Sequence, residues 1–141
     1  MKILLPVDGS EYSRRAADYV AQHTSWLKEA PEIHVLHVHP KLPYTGAAKI
    51  VGKAVIKEYQ REESEAALKV CTKELKALKL EATAVWIVGD VVEEVGRYVK
   101  KHDIDLIVIG SHGRGAASTF ALGSVTTKLL AALKTPILVI R

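Results

Sequence analysis

Residues 104–115 read Ile104-Asp105-Leu106-Ile107-Val108-Ile109-Gly110-Ser111-His112-Gly113-Arg114-Gly115. Asp105 to Ile109 reads as a strand, and after Asp105 the run is branched and apolar with no polar residue alternating, the pattern of a strand covered on both faces apart from its start. It stops at Gly110 and passes into a glycine-rich stretch. A strand buried on both sides needs a layer above and a layer below, so this segment predicts a parallel sheet sandwiched by helices.

The flanking sequence supplies those helices. Upstream, Glu81 to Val88 reads as a strand, closed by Gly89 and by Asp90-x-x-Glu93, a capping box in which Asp90 takes backbone amides and Glu93 reaches back. The helix that follows is predicted to bury Val92, Val95, Val99 and His102. Downstream, Val125, Leu129 and Ala132 mark another helix, Pro136 stops it, and Ile137-Leu138-Val139-Ile140 is a last strand.

The N-terminal half repeats the alternation. Lys2 to Val7 is a strand stopped by Asp8-Gly9-Ser10, and Ala16, Val20, His23 and Leu27 then recur at helical spacing. Ile33 to Val38 is a second strand closed by His39-Pro40. Lys41 to Gly52 has no period and reads as a loop before a long charged helix over about Lys53 to Lys79. Right-handed crossovers turn five strands and four helices into an α/β fold, a single doubly wound five-stranded parallel sheet forming one domain over residues 1–141.

Composition narrows the function classes. Apolar residues make up 48% of the 141 and charged residues 26%, the balance of a chain that folds by itself. No apolar run approaches the roughly 18 residues of a membrane-spanning helix. The opening Met1-Lys2-Ile3-Leu4-Leu5-Pro6-Val7-Asp8 is too short and too acidic at its end for a secretory signal, which predicts a cytoplasmic protein. Cys71 is the single cysteine and lies at helical spacing among Leu68, Leu75 and Leu78, so a buried thiol is expected. The net charge of +4 would permit nucleic-acid binding. The lysines and arginines sit beside glutamates without interleaved aromatics, however, so a solvated helix surface is the better reading.

Open parallel sheets bind ligands beyond the carboxyl ends of their strands, where the strand order reverses. Pro6-Val7-Asp8-Gly9-Ser10, Gly89-Asp90 and Gly110 to Gly115 all follow strands, and one pocket is expected to collect the three. The sharpest signal is Gly110-x2-Gly113-x9-Gly123-Ser124. In it Gly110 gives a ligand close access to the strand end, and Gly113 allows a turn toward positive φ. Gly123 and Ser124 open a helix whose free amides, hydroxyl and dipole suit a phosphate, with Arg114 as mobile countercharge. The same glycines would also serve to punctuate an ordinary strand-to-helix loop.

Other constellations carry less. The P-loop pattern is absent, since Gly46 and Gly52-Lys53-Ala54 have the wrong spacing, and no G-x-G-x-x-G occurs. Alternation places His37 and His39 on one strand face and His34 on the other, which argues against a metal site. His112 suits positioning better than general base catalysis. Asp8 either activates a nucleophile or holds a metal, or caps the first helix or bonds an adenine or ribose edge; the second role is favoured.

The Pro-Val-Asp-Gly-Ser start, His37-Val38 at the end of strand two, and Gly110 through Gly113-Arg114 to Leu122-Gly123-Ser124-Val125 together resemble the universal stress protein family along the whole chain. The G-x2-G-x9-G-S spacing resembles that of the family's ATP-binding branch. The resemblance implies an adenine nucleotide alpha hydrolase-like fold with strand order 3-2-1-4-5. It implies adenine near Pro6, Val7, Asp8 and Val38, ribose over Ile109 and Gly110, and phosphates at Gly113, Arg114, Gly123, Ser124 and Val125. ATP, or else ADP or AMP, would be the ligand, with Mg2+ bound through the phosphates. Between Arg114 and Gly123 no further basic residue occurs, which implies a weaker hold on triphosphate.

Three functions follow as expectations. The first is a nucleotide-dependent stress-response regulator or sensor that hydrolyses slowly if at all and acts on a protein partner. The second is a slow ATPase or phosphotransferase using Asp8, Mg2+ and Arg114. The third is an interaction protein indifferent to nucleotide. In every case the apolar fifth strand would be an unprotected edge, which predicts a homodimer through that strand.

Overall fold

The computed structural model describes residues 1–42, 52–115 and 121–141. Along them the strands are β1 (Lys2–Pro6), β2 (Glu32–His39), β3 (Ala82–Val88), β4 (Leu106–Gly110) and β5 (Ile137–Ile140). The helices are α1 (Glu11–His23), α2 (Lys53–Ala77), α3 (Val91–His102) and α4 (Ser124–Ala132). All strand pairs are parallel and the order is β3-β2-β1-β4-β5, with Ile3 opposite both Ile33 and Leu106. The chain therefore leaves β1 toward one edge and β4 toward the other, and the crevice between their ends is the point where the order reverses.

Two-residue alternation divides the apolar side chains between two cores. Ile3, Leu5, Val7, Val35 and Val108 pack with Ala16 and Val20 of α1 and Leu68, Cys71 and Leu75 of α2. Leu4, Leu36, Val38, Ile107 and Ile109 face the other way, onto Val95, Tyr98 and Val99 of α3 and Leu129 of α4. Truncating a fully buried leucine such as Leu4 or Leu129 costs about 2–5 kcal/mol.

Several boundaries differ from the sequence reading for local reasons. Helix α1 stops at His23, whose ring stacks on Tyr19 at 4.1 Å, and a 3-10 turn follows over Thr24–Trp26, so Leu27 lies beyond the helix. Helix α2 ends at Ala77 and leaves Leu78 49% exposed. Strand β4 begins after Asp105 because that carboxylate accepts from the Lys2 amide at 2.7 Å. Asp90 caps α3 through the amides of Val92 and Glu93, but Glu93 turns to Arg97 instead of completing the box. In α3 the buried face is Val95, Tyr98 and Val99, while Val92 and His102 are only partly buried. Of the loop read over Lys41 to Gly52, residues 43–51 lie outside the described residues. Among the described residues no helix is long and apolar enough to cross a membrane.

Candidate functional site

A cavity of about 350 Å³ opens in the crevice between the ends of β1 and β4. Its walls include Pro6, Val7, Asp8, Val38, Ile109, Gly110, Gly113, Arg114, Gly123, Ser124 and Val125, so the sequence-derived positions converge on one site. Gly89 and Asp90 do not line it. Strand β3 is the edge strand, two places from β1, and α3 instead brings Val91 and Val95 to the wall.

The two ends of the cavity differ in chemistry. Pro6, Leu36, Val38, Val91, Val95 and Ile109 make an apolar end suited to a flat ring. Leu36, Val91 and Val95 escaped the sequence reading because a wall and a core use the same side chains. The i, i+4 spacing of the two valines after strand three was the available signal.

The other end is polar. Gly123 precedes α4, and among the described residues no side chain caps that helix. Its first ladder bond is the Thr127 amide to the Gly123 carbonyl, at 2.9 Å, so among the described residues the amides of Ser124, Val125 and Thr126 have no backbone acceptor and are open to an outside one. The nine-residue helix adds its positive end to those donors. Thr126 Oγ1 donates to the Gly110 carbonyl at 3.0 Å and the Gly123 amide to the Ser111 carbonyl at 2.7 Å, which anchor the helix start to the end of β4.

Two glycines serve packing more than ligand access. A Cβ on Gly110 would stand 2.6 Å from Tyr12 Cβ and 2.7 Å from its backbone carbonyl carbon, so α1 and not a ligand requires glycine there. Gly113 does not take a positive φ, which among the described glycines is confined to Gly9 and Gly52. A Cβ at 113 would stand 2.5 Å from Asp8 Oδ2.

Asp8 is a structural acceptor. Oδ1 accepts from the Ser10 amide at 3.0 Å and the Ser13 hydroxyl at 2.8 Å, and Oδ2 accepts from the Arg114 amide at 3.0 Å. The cap of α1 is Ser10, whose hydroxyl takes the Ser13 amide, so Asp8 supports the cap without being it. Partial burial would raise the Asp8 pKa, but the bonds from Ser10, Ser13 and Arg114 outweigh it and hold the carboxyl below its ordinary range. Asp8 is ionised at neutral pH.

The histidines separate as alternation requires. His34 faces α3, 2.9 Å from the Tyr98 hydroxyl and 2.9 Å from Glu32 Oε1. His37 faces α2, donates from Nδ1 to the Val7 carbonyl at 2.7 Å, and is kept neutral by burial, which lowers its pKa. The Val7 amide donates to the Leu36 carbonyl at 2.9 Å, so both backbone groups of this wall residue are engaged. His112 also lines the cavity; its Nδ1 lies 2.9 Å from the Ser111 hydroxyl, and its Nε2 is buried without a hydrogen-bond partner among the described residues.

Among the described residues Asp8 is the one carboxylate on the cavity wall, and no group of three His, Cys, Asp or Glu side chains is placed to hold a metal ion. A divalent ion here would draw most of its oxygen ligands from a bound phosphate and water.

The sequence model of the universal stress protein family matches residues 1–141. The chain belongs to the universal stress protein family. Among its universal stress protein relatives, YxiE of Bacillus subtilis is 30% identical over 147 residues, covering 99% of this chain and 98% of YxiE. The solved structure of MJ0577 of Methanocaldococcus jannaschii superposes with a TM-score of 0.80 at 27% identity, over 99% of this chain and 94% of that one. Two more distant universal stress proteins share the fold and were solved with nucleotides. One, in complex with cAMP, has a TM-score of 0.71 at 21% identity, covering 100% of this chain and 97% of that one. The other, from Arabidopsis thaliana with AMP bound, has a TM-score of 0.69 at 16% identity, covering 99% and 90%.

Proposed function

We propose that this universal stress protein binds an adenine nucleotide in the cavity between β1 and β4 and acts as a nucleotide-dependent stress-response regulator in the cytoplasm. The observation that carries the reading is the uncapped start of α4, where three amides and the Ser124 hydroxyl border the same cavity as Arg114. An anion at that end satisfies the orphan donors, and the apolar end accepts a base. The solved relatives holding AMP and cAMP support the ligand class. ATP is included in it, with Mg2+ carried on its phosphates.

A sensor is favoured over a catalyst because each Asp8 oxygen already accepts a bond from its own loops, which leaves it poorly suited as base or nucleophile. A change of partner on loading is then the output, and a homodimer through β5 supplies a second copy of the cavity. The test is calorimetric titration of the purified protein with AMP, ADP and Mg-ATP, after acid extraction to identify any carried nucleotide. One nucleotide per chain, with affinity lost in Gly123→Val and reduced in Ser124→Ala, is the expected result. Absence of both binding and carried nucleotide would overturn the reading in favour of an interaction protein.

A further inference from the structure

The polar end of the cavity is short of positive charge. Arg114 is the one lysine or arginine among the described wall residues. Its side chain leans out over the β1–α1 turn: Nη2 would stand 2.8 Å from a Cβ on Gly9, and Nη1 lies 3.8 Å from Glu63 Oε1 on α2. Glu63 is itself held in place, with Oε2 3.3 Å from His39 Nε2. The neighbouring Tyr59 hydroxyl first, and then His39 and Arg114, hold its pKa below the ordinary range, so the group is charged at neutral pH. Asp8 adds a second carboxylate, bonded to the backbone of the same Arg114. The one guanidinium at this end is thus engaged by Glu63, Asp8 adds a second negative charge on the cavity wall, and the buried His37 contributes no charge.

We propose that Glu63 is a specificity-determining residue, which engages Arg114 and sets the cavity to prefer a nucleoside monophosphate over a metal-free triphosphate. The inference rests on the nucleotide reading above. The repulsion from a fixed carboxylate grows with the charge of the ligand, and metal-free ATP carries about two more negative charges than AMP, so the same carboxylate penalises ATP more. Competition for Arg114 acts in the same direction, because a phosphate chain must draw the guanidinium from Glu63 before using it. Mg2+ on ATP offsets part of that charge and narrows the preference.

Metal-free titration of wild type, Glu63→Gln and Glu63→Ala with AMP, ADP and ATP tests this at low and at high salt. At low salt both variants are expected to tighten ATP about fivefold more than AMP, with ADP between, and high salt shrinks the difference because the carboxylate is partly exposed. Tyr59→Phe, which keeps the charge, moves the ATP-to-AMP ratio less than Glu63→Gln does. If wild type binds none of the three, the nucleotide reading itself fails and the inference with it. If wild type binds but the variants change AMP and ATP by one common factor, or not at all, the inference alone is overturned.

Discussion

The Arg114 amide donates to Asp8 Oδ2 at 3.0 Å, joining residues 106 apart in sequence. This bond ties the β1–α1 turn to the β4–α4 loop across the mouth of the crevice. The other Asp8 oxygen holds Ser10 and Ser13, so one carboxylate fixes the first helix cap and the glycine-rich loop together. The geometry of the anion end depends on a residue that need not touch the ligand.

Replacing Asp8 with Asn keeps the shape but puts an amide nitrogen or a neutral oxygen opposite donors that now face a carboxylate. Chemical denaturation at pH 7 is expected to show a loss of about 1 kcal/mol, within the range for a charge-assisted bond set that is partly solvated. The folded pKa of Asp8 is depressed from an ordinary value of 3.8. Its contribution is therefore present above that value and lost as pH falls through the folded one. The gap between wild type and Asp8→Asn should accordingly close below about pH 4. A gap unchanged between pH 7 and pH 3 would remove ionised Asp8 as its cause.

Gly110→Ala and Gly113→Ala separate two kinds of crowding. The new methyl at 110 meets Tyr12 backbone, which cannot yield without moving α1, whereas at 113 it meets the end of the Asp8 side chain. Thermal unfolding should show Gly110→Ala to be the more destabilising, by about 2–3 kcal/mol. Gly113→Ala should lose nucleotide affinity with a smaller change in stability. Equal losses of stability in both would contradict the distinction.

These two glycines also show how far the sequence reaches. The strands, the helices and the meeting of the loops after β1 and β4 followed from apolar runs punctuated by Gly, Pro and Asp, because those residues act locally. The strand order came instead from the family resemblance, and the expected third loop, at Gly89-Asp90, does not reach the cavity. The reason for each glycine did not follow, since Tyr12 and Asp8 lie about a hundred positions away. The pairing of Arg114 with Glu63 was hidden for the same reason: Glu63 reads as one more charge on a solvated helix until α2 is laid beside the β4–α4 loop. Tyr98 was missed as a buried residue because its hydroxyl is satisfied by His34, a partner on another element.

Cys71 offers a probe of opening. Its side chain is fully buried, its Sγ lies 3.3 Å from the Ser13 carbonyl, and burial pushes the thiol up to about 12. The native protein should react with a disulfide reagent at pH 8 only as fast as it unfolds or opens between α1 and α2, and in denaturant at the rate of a free thiol. Immediate stoichiometric labelling of folded protein would refute the buried placement.

Strand β5 pairs with β4 on one side only among the described residues, and Leu138 is 36% exposed. The Pro136 and Ile140 carbonyls accept from the Ile107 and Ser111 amides at 2.9 and 2.6 Å, so the even-numbered residues direct their backbone groups toward β4. Alternation turns the amide of Val139 the other way, to the open edge. Proline at 139 therefore removes a donor from that edge while sparing the bonds to β4, and edge strands tolerate it. If two chains pair through β5, light scattering should give a dimer for wild type at micromolar concentration. Val139→Pro should weaken it at least about tenfold, equivalent to one or two lost interchain hydrogen bonds, with circular dichroism unchanged. A wild-type monomer at that concentration would exclude the dimer, and a dimer indifferent to Val139→Pro would move the interface away from this strand.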